Sequence, residues 1–240
     1  MDEDDATFAL KCVKKVLDEE GLVFWLDTGT LLGAVRNGRF IPWDSDIDLG
    51  AWNKNIDVLK NALKKIPSNM YSYVHENRAG RWKIIILYKD IAVSITLYEI
   101  QRNRAIRHYN LEQCSFAGII QGLIKLLKDK RNAKVVSQNI PLDITEIIAN
   151  ILSFIPTRAK SIIIPILEKQ YEVFSSNQSI LVSIPKEYFE NLSAIEFYDM
   201  EYNIPSPVED YLEYRYGSDW RTPKEKYVHY VDDGGIMEVR

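Results

Sequence analysis

The sequence has little cysteine and no long uncharged segment, and both absences narrow the possible classes of protein. Cys12 and Cys114 are the two cysteines among 240 residues, and they lie far apart without the spacing of metal ligands. A disulfide framework is therefore not expected, and a reducing compartment is the expected setting. No uncharged segment exceeds about thirteen residues, which is short of the roughly 18 that indicate a membrane-spanning helix.

The first residues lack the pattern of an export signal. Met1–Asp5 is acidic, whereas a secretory signal begins with basic residues followed by an apolar segment. We therefore expect a cytoplasmic protein. With 46% hydrophobic and 27% charged residues, the composition is that of a soluble globular protein. The length suits one well-packed domain, or one domain with a substantial insertion.

Basic residues are concentrated in the middle of the chain. Between Ile100 and Gln170 there are eleven Lys and Arg against five Asp and Glu, a balance of +6, while the rest of the chain carries −10. The acidic remainder, without interleaved aromatic and basic residues, argues against a nucleic-acid partner. Two interpretations stay open. The charges belong to the solvated face of a helical subdomain, or residues 113–174 form a basic amphipathic surface for peripheral contact with an anionic membrane or a lipid-linked acceptor.

Hydrophobic periodicity changes several times along the chain and predicts an α+β fold, with a mixed sheet flanked by helices. A first helix is predicted from about Asp5 to Glu20, and strands are predicted at residues 23–26, 47–52, 82–88 and 91–98. Helix-compatible apolar segments follow in the middle of the chain. We divide the chain into a core (residues 1–112), a helical insert (113–174) and a C-terminal segment that packs on the core (175–240).

Two aspartates at the start of a predicted strand are the candidate catalytic and metal-binding residues. Alternate side chains of a strand share a face, so Asp46 and Asp48 point the same way while Ile47 and Leu49 pack behind them. Neighbouring carboxylates raise each other's pKa unless a cation lies between them. Mg²⁺ (or Mn²⁺) is the natural cation, because one or two carboxylates together with substrate phosphates suffice to bind it.

A glycine turn before the pair supplies candidate phosphate-binding residues. Gly29 and Thr30 follow a buried strand and open a short predicted helix, Leu31–Val35. Glycine lets the backbone approach a phosphate closely, and the free N–H groups at a helix start favour an anion. The order of strand, glycine turn, helix, basic loop and paired acids indicates a site for metal-bound phosphates.

Three further polar residues lie in the loop that leads to the acids. Arg36 and Arg39 have the forked donors that clamp phosphate oxygens, and the alternative is that both are solvated loop charges. Asp44 is either a partner that orients a metal ligand or a turn residue beside Pro42, and we favour the orienting role.

The segment from Asp27 to Gly50 resembles the LicD/fukutin family of sugar- and choline-phosphotransferases, within the nucleotidyltransferase-fold superfamily. The resemblance rests on Gly-Thr-Leu-Leu-Gly-Ala-Val-Arg at residues 29–36, Phe-Ile-Pro-Trp-Asp at 40–44 and Asp-Ile-Asp-Leu at 46–49. A second match lies far downstream, in Ile204–Pro207 and Tyr211–Pro223. The resemblance implies a nucleotidyltransferase-like core. It also implies transfer of a phospho-alcohol, such as phosphocholine or a polyol phosphate, from a CDP-activated donor to a cell-surface glycan or its lipid-linked precursor.

One position departs from the family pattern. Members usually carry a third acid on a strand beside the pair, and the matching segment Ala92–Tyr98 has Ser94 there. A hydroxyl is a poor metal ligand and a weak base. Three explanations stay open: the pair works alone with a water, Asp90 or Glu99 substitutes, or catalysis is lost. The alternative functions are nucleotidyl transfer from an NTP, and an inactive protein that binds a nucleotide-activated donor or a partner enzyme.

Overall fold

The computed structural model describes residues 1–76, 82–110, 116–128, 142–174, 179–227 and 229–239, which form two compact units. The first unit joins Met1–Tyr109 to Ile180–Val239, and the second is Asn110–Ser179. The predicted helical insert, residues 113–174, lies inside the second unit. From residue 180 onward, the predicted C-terminal segment belongs to the same unit as the core.

The strands are β1 (Phe24–Leu26), β2 (Asp46–Trp52), β3 (Tyr71–Glu76), β4 (Trp82–Tyr88), β5 (Ile91–Gln101), β6 (Arg104–Asn110), β7 (Ser179–Pro185), β8 (Ser193–Phe197), β9 (Met200–Ile204) and β10 (Ile236–Val239). Eight of them form a mixed sheet in the order β1-β2-β5-β6-β7-β10, extended by β4 on β5 and by β3 on β4. β8 and β9 pair with each other. All four strands predicted from the sequence are present, with ends shifted by up to three residues.

The helices are α1 (Glu3–Glu19), α2 (Thr28–Asn37), α3 (Ile56–Ala62), α4 (Phe116–Lys128), α5 (Leu142–Ser153), α6 (Thr157–Phe174), α7 (Val208–Tyr216) and α8 (His229–Asp232). A mixed sheet combined with helices confirms the predicted α+β class. The first helix begins two residues before its predicted start, because Asp2 caps it and accepts a hydrogen bond from the Asp5 backbone N–H at 2.9 Å.

The two faces of the central strands differ in character, and this difference positions the site. β2 and β5 run parallel, with Ile47 opposite Val93 and Leu49 opposite Ile95. These four side chains are buried, and α1 packs on β5. Because side chains alternate along a strand, Asp46, Asp48 and Ser94 lie on the opposite face. The buried apolar face therefore fixes the strand register that brings the polar residues together.

The residues of the second unit that the structure describes are mostly helical. Helix α4 packs against both α5 and α6. Leu126 of α4 and Ala149 of α5 form the buried centre of their contact, with Ile148 and Leu152 packed around it. Pro165 lies inside α6, where it removes one backbone N–H from the helical ladder. Within the described residues, every helix is too short or too polar to cross a bilayer.

Candidate active site

Asp46 and Asp48 lie side by side on one face of β2, as the sequence predicted. Burial, followed by the negative charge of Asp44, raises the pKa of Asp46 to about 6. Burial and the charge of Asp46 raise the pKa of Asp48 to about 7. Two crowded carboxylates of this kind match the ligands of a divalent cation, which offsets their mutual repulsion. Over the described ranges, no cluster of three or more Asp, Glu, His or Cys side chains is arranged as a metal site.

The register between β2 and β5 places Ser94 directly opposite Asp48. Ser94 is 2% exposed, so a buried hydroxyl lies at the position where the family pattern has an acid. The predicted strand register is therefore confirmed, and the departure from the family pattern concerns a residue beside the paired acids.

Glu99 does not substitute for the missing acid, which corrects one of the explanations left open by the sequence. It lies five residues beyond Ser94 on β5 and is paired with Ile106 of β6, about 17 Å farther along the strand. Its carboxylate accepts a hydrogen bond from Asn53 Nδ2 at 2.9 Å. Asp90 lies in the turn between β4 and β5, and its participation stays a prediction.

Hydrogen bonds join the glycine turn to the strand that carries the acids. The Asp48 backbone N–H donates to Thr30 Oγ1 at 2.9 Å, and the Asp27 N–H donates to the Asp48 carbonyl at 3.0 Å. The Thr28 hydroxyl donates to Asp48 Oδ2. Backbone and side chain of Asp48 are thus both held by residues 27–30.

Thr28 is a residue of the site that the sequence analysis missed. The second helix begins at Thr28 rather than at the predicted Leu31, so Gly29 and Thr30 lie in its first turn. Thr28 has a φ of 40°, an uncommon conformation for a β-branched residue and of a kind that concentrates at functional sites. The Thr-Gly-Thr pattern, with a hydroxyl on either side of the glycine, was the available signal.

The side chain of Asp44 approaches Gly29 closely. A Cβ at Gly29 would clash with Asp44 Oδ2, so the carboxylate of Asp44 lies over the first turn of α2. Burial and the charge of Asp48 raise the pKa of Asp44, and Asp44 shares a hydrogen bond with Asp46. The orienting role of Asp44 stays a prediction. Thr30 is buried and its hydroxyl holds β2, which leaves Gly29 as the better-placed of the two predicted phosphate contacts.

The two predicted phosphate clamps have other partners. Arg36 Nε donates to Asn37 Oδ1 at 2.8 Å, and burial lowers the pKa of Arg36 although Tyr216 opposes that shift. Arg39 Nη2 binds Glu3 Oε2 at 2.6 Å and ties the loop to α1. Contact of either arginine with a phosphate stays a prediction.

Lys83 supplies positive charge on the same face of the sheet, and the sequence analysis missed it. On β4, Lys83 is paired with Thr96 and Ile85 with Ser94. Residues two apart share a face, so Lys83 lies on the face of Ser94. Its charge partly offsets the upward pKa shifts of Asp46 and Asp48. The alternation of side chains across the predicted hairpin, which pairs Lys83 with Thr96 on the face of Ser94, was the available signal for Lys83.

A buried ionic network stands behind the turn. Asp27 is fully buried, and its carboxylate accepts hydrogen bonds from Tyr98 Oη at 2.7 Å, from Arg107 Nη1 at 3.3 Å and from Tyr211 Oη at 3.3 Å. The Thr28 N–H donates to the same carboxylate at 2.9 Å. Asp27 is therefore both the cap of α2 and the point where the downstream motif residue Tyr211 meets the upstream motif.

Comparisons with known proteins found relatives of part of the chain. The profile of the LicD/FKTN/FKRP nucleotidyltransferase domain matches residues 21–116. Ribitol 5-phosphate transferase FKRP of Homo sapiens is 49% identical over 41 residues, which cover 17% of this chain and 8% of that protein. The uncharacterized protein RP689 of Rickettsia prowazekii is 31% identical over 86 residues, covering 34% of this chain and 32% of that protein. The chain thus aligns with less than a third of the length of these relatives.

A solved structure is also similar at low identity. The crystal structure of ANT(2")-Ia in complex with adenylyl-2"-tobramycin is 13% identical, covers 69% of this chain and 98% of its own, and has a TM-score of 0.33. The family profile is the stronger finding, because its range contains the glycine turn, the paired aspartates and Ser94. Residues 21–116, about two fifths of the chain, match the nucleotidyltransferase domain of the LicD/FKTN/FKRP family.

Proposed function

We propose that this protein is a transferase that moves a phospho-alcohol, such as phosphocholine or a polyol phosphate, from a CDP-activated donor to a cell-surface glycan or its lipid-linked precursor. The observation that carries the proposal is the position of Asp46 and Asp48 on one face of β2, with Asp48 hydrogen-bonded to the first turn of α2. The name of one relative, a ribitol 5-phosphate transferase, supports the choice of a phospho-alcohol. The cytoplasmic setting stays a prediction.

Asp46 and Asp48 would hold Mg²⁺ or Mn²⁺, which in phosphoryl transfer neutralises charge on the diphosphate and on the leaving nucleotide. Thr28 fixes the Asp48 side chain through its hydroxyl, and Asp44 lies beside Asp46. The backbone at Gly29 offers N–H groups at the start of α2 to phosphate oxygens. Lys83 adds positive charge on the same face and would limit repulsion as the anionic donor binds.

In the proposed reaction, an acceptor hydroxyl attacks the phosphorus that carries the alcohol. The new bond joins the acceptor oxygen to that phosphorus, the bridging P–O bond to the nucleotide breaks, and CMP leaves. The proton of the hydroxyl passes to a carboxylate of the site or to water. Most of the acceleration in such transfers comes from positioning and from charge stabilisation.

The test is incubation with Mg²⁺, a glycan acceptor and a panel of CDP-choline, CDP-polyols and NTPs. Release of CMP together with a phosphodiester product supports the proposal. Release of pyrophosphate from an NTP supports the alternative of nucleotidyl transfer. Asp48→Asn serves as the inactive control, and Asp57→Asn, an exposed acid on α3, as the matched control that should retain activity.

The presence of Ser94 beside Asp48 favours a second candidate, a catalytically inactive protein that binds a nucleotide-activated donor or a partner enzyme. Calorimetry with CDP, with and without Mn²⁺, separates the two functions. Nucleotide affinity that depends on the metal, together with turnover, supports the transferase. Affinity that is independent of the metal, with no turnover of any donor, supports the binding protein.

A further inference from the structure

The second unit contains a helical hairpin whose connected halves, residues 147–167, have no acidic residues, while the four acids of its two helices, Asp143, Glu146, Glu168 and Glu172, lie outside that segment. Between Glu146 and Glu168, the sequence 147–167 carries only two charged residues, Arg158 and Lys160, and both are basic. This segment holds most of α5, the short connection at Pro156 and the first half of α6. A water-facing helical hairpin normally carries charges of both signs on its outer surface, so the absence of acids is informative.

Large apolar side chains point outward along both helices of this hairpin. On α5, Ile147 and Ile151 lie one turn apart and are more than half exposed, and so are Ile162 and Ile166 on α6. Phe154, at the end of α5, is 86% exposed. The spacing of four residues places each isoleucine pair on one stripe of its helix.

The inner faces of the two helices are already used. Both α5 and α6 pack against α4, and the buried Leu126 and Ala149 lie at the contact between α4 and α5. The outward stripes therefore belong to the surface of the unit, not to its core. An exposed apolar patch of this kind marks an interaction surface.

We propose that the hairpin 147–167 docks on an anionic lipid surface, with Phe154 inserted among the acyl chains and Lys160 at the headgroups. Charge complementarity carries the choice of occupant, because the hairpin 147–167 has no carboxylate to repel acidic lipids and two cations to attract them. Helices of twelve and eighteen residues that lie in the interface plane bury apolar side chains without crossing the bilayer.

A pair of vesicle experiments tests the lipid surface independently of any transferase activity. The full chain is sedimented with vesicles of equal parts phosphatidylcholine and phosphatidylserine, and with vesicles of phosphatidylcholine alone, at low and moderate salt. Binding to the anionic vesicles that weakens with salt is expected. Phe154→Asp should lower the partition coefficient by about ten-fold or more, because it replaces an aromatic ring that enters the bilayer with a carboxylate.

Val58→Asp is the matched control, since Val58 is an exposed apolar residue on α3 in the first unit. It should bind vesicles as the wild type does. Because Phe154 contributes little to the core, Phe154→Asp should keep the circular dichroism and thermal unfolding of the wild type, so a loss of binding would not reflect misfolding. Replacing Lys160 with Gln should weaken binding to anionic vesicles only.

Three results would overturn the proposal that the hairpin docks on anionic lipid. In the first, the protein stays in the supernatant with anionic vesicles even at low salt, and in the second, Phe154→Asp binds as tightly as Val58→Asp does. In the third, analytical ultracentrifugation detects a dimer that Phe154→Asp dissociates while vesicle binding is absent, which would assign the hairpin to a second copy of the chain. Since none of these measurements uses donor turnover, the proposed reaction and the lipid surface can fail separately.

Discussion

Arg215 and Asp233 form a bidentate ion pair inside the first unit. Arg215 Nε donates to Asp233 Oδ1 at 2.8 Å and Nη2 donates to Oδ2 at 2.6 Å, and both side chains are almost fully buried. Arg215 Nη1 also donates to Tyr211 Oη at 2.6 Å, and Tyr211 Oη in turn contacts Asp27. The downstream motif thus supports, through buried polar contacts, the residue that caps α2 at the candidate site.

We expect Arg215→Ala to destabilise the protein by about 3–5 kcal/mol, the usual cost of breaking one side of a buried ion pair. The substitution leaves the buried carboxylate of Asp233 without its main partner. Burial alone would raise the pKa of Asp233, but the charge and the hydrogen bonds of Arg215 lower it. Urea-induced unfolding followed by circular dichroism measures the change.

The control for that experiment is Arg221→Ala, which removes an exposed ion pair with Glu209. Exposed pairs contribute little to stability, so its unfolding midpoint should stay near that of the wild type. Equal midpoints for Arg215→Ala and Arg221→Ala would show that the buried network does not stabilise the fold.

Asp46→Asn and Asp48→Asn should each abolish phospho-alcohol transfer while the fold is retained. An amide keeps the shape of the carboxylate but removes a charged metal ligand. Donor turnover and thermal unfolding of both variants are the measurements. Native-like unfolding together with wild-type turnover would remove these residues from the site.

Without divalent metal, the stability of the protein should fall as the pH rises from about 4 to about 7.5. The pKa values of about 6 for Asp46 and about 7 for Asp48 in the folded protein lie above the ordinary value near 4. The folded state therefore binds more protons than the unfolded chain in that interval, and the resulting stabilisation is lost as the carboxylates ionise.

Thermal unfolding in EDTA across this pH range measures the effect. Asp48→Asn should flatten the profile and raise the melting temperature at pH 7.5, whereas Asp57→Asn should leave the profile of the wild type. Adding Mg²⁺ at pH 7.5 should stabilise the wild type more than it stabilises Asp48→Asn. Identical profiles for the wild type and Asp48→Asn would contradict the raised pKa of Asp48.

Parts of the site that depend on local periodicity could be predicted from the sequence. The alternation of side chains along a strand was enough to place Asp46 and Asp48 together, and Ile47 and Leu49 behind them. The family pattern identified Ser94 as the residue beside Asp48. These relationships involve one strand or two paired strands, where the spacing of side chains is fixed by backbone geometry.

The start of α2 and the buried network depend on longer-range contacts and were not predicted. Gly29 was interpreted as a turn before the helix, but Asp27 caps a helix that already includes it. Asp27, Arg107, Arg215 and Asp233 come from four separate segments that meet only in the folded unit. A charged residue that will be buried has no distinctive local pattern, so such pairings require the tertiary structure.

Gly29→Ala should impair the site by displacing Asp44. The added methyl group would clash with Asp44 Oδ2, so the carboxylate must move away from the first turn of α2. We expect weaker Mg²⁺ binding by calorimetry and lower turnover, with little loss of stability because alanine favours the helix. Gly38→Ala should give the opposite result. A Cβ at Gly38 would meet open space, but the φ of 64° is strained for alanine. We therefore expect lower stability and unchanged metal affinity.

Ser94→Asp should tighten the binding of Mg²⁺ or Mn²⁺, because it adds a third carboxylate directly opposite Asp48. The same substitution should lower the melting temperature of the metal-free protein, since it buries another negative charge near two that already repel each other. Ser68→Asp is the control, because Ser68 is exposed in the turn before β3 and is not a residue of the candidate site. Calorimetric titration of both variants with Mn²⁺ compares their affinities. Equal affinities would show that a side chain at position 94 does not reach the metal, and the family's third ligand would then have to come from another residue such as Asp90.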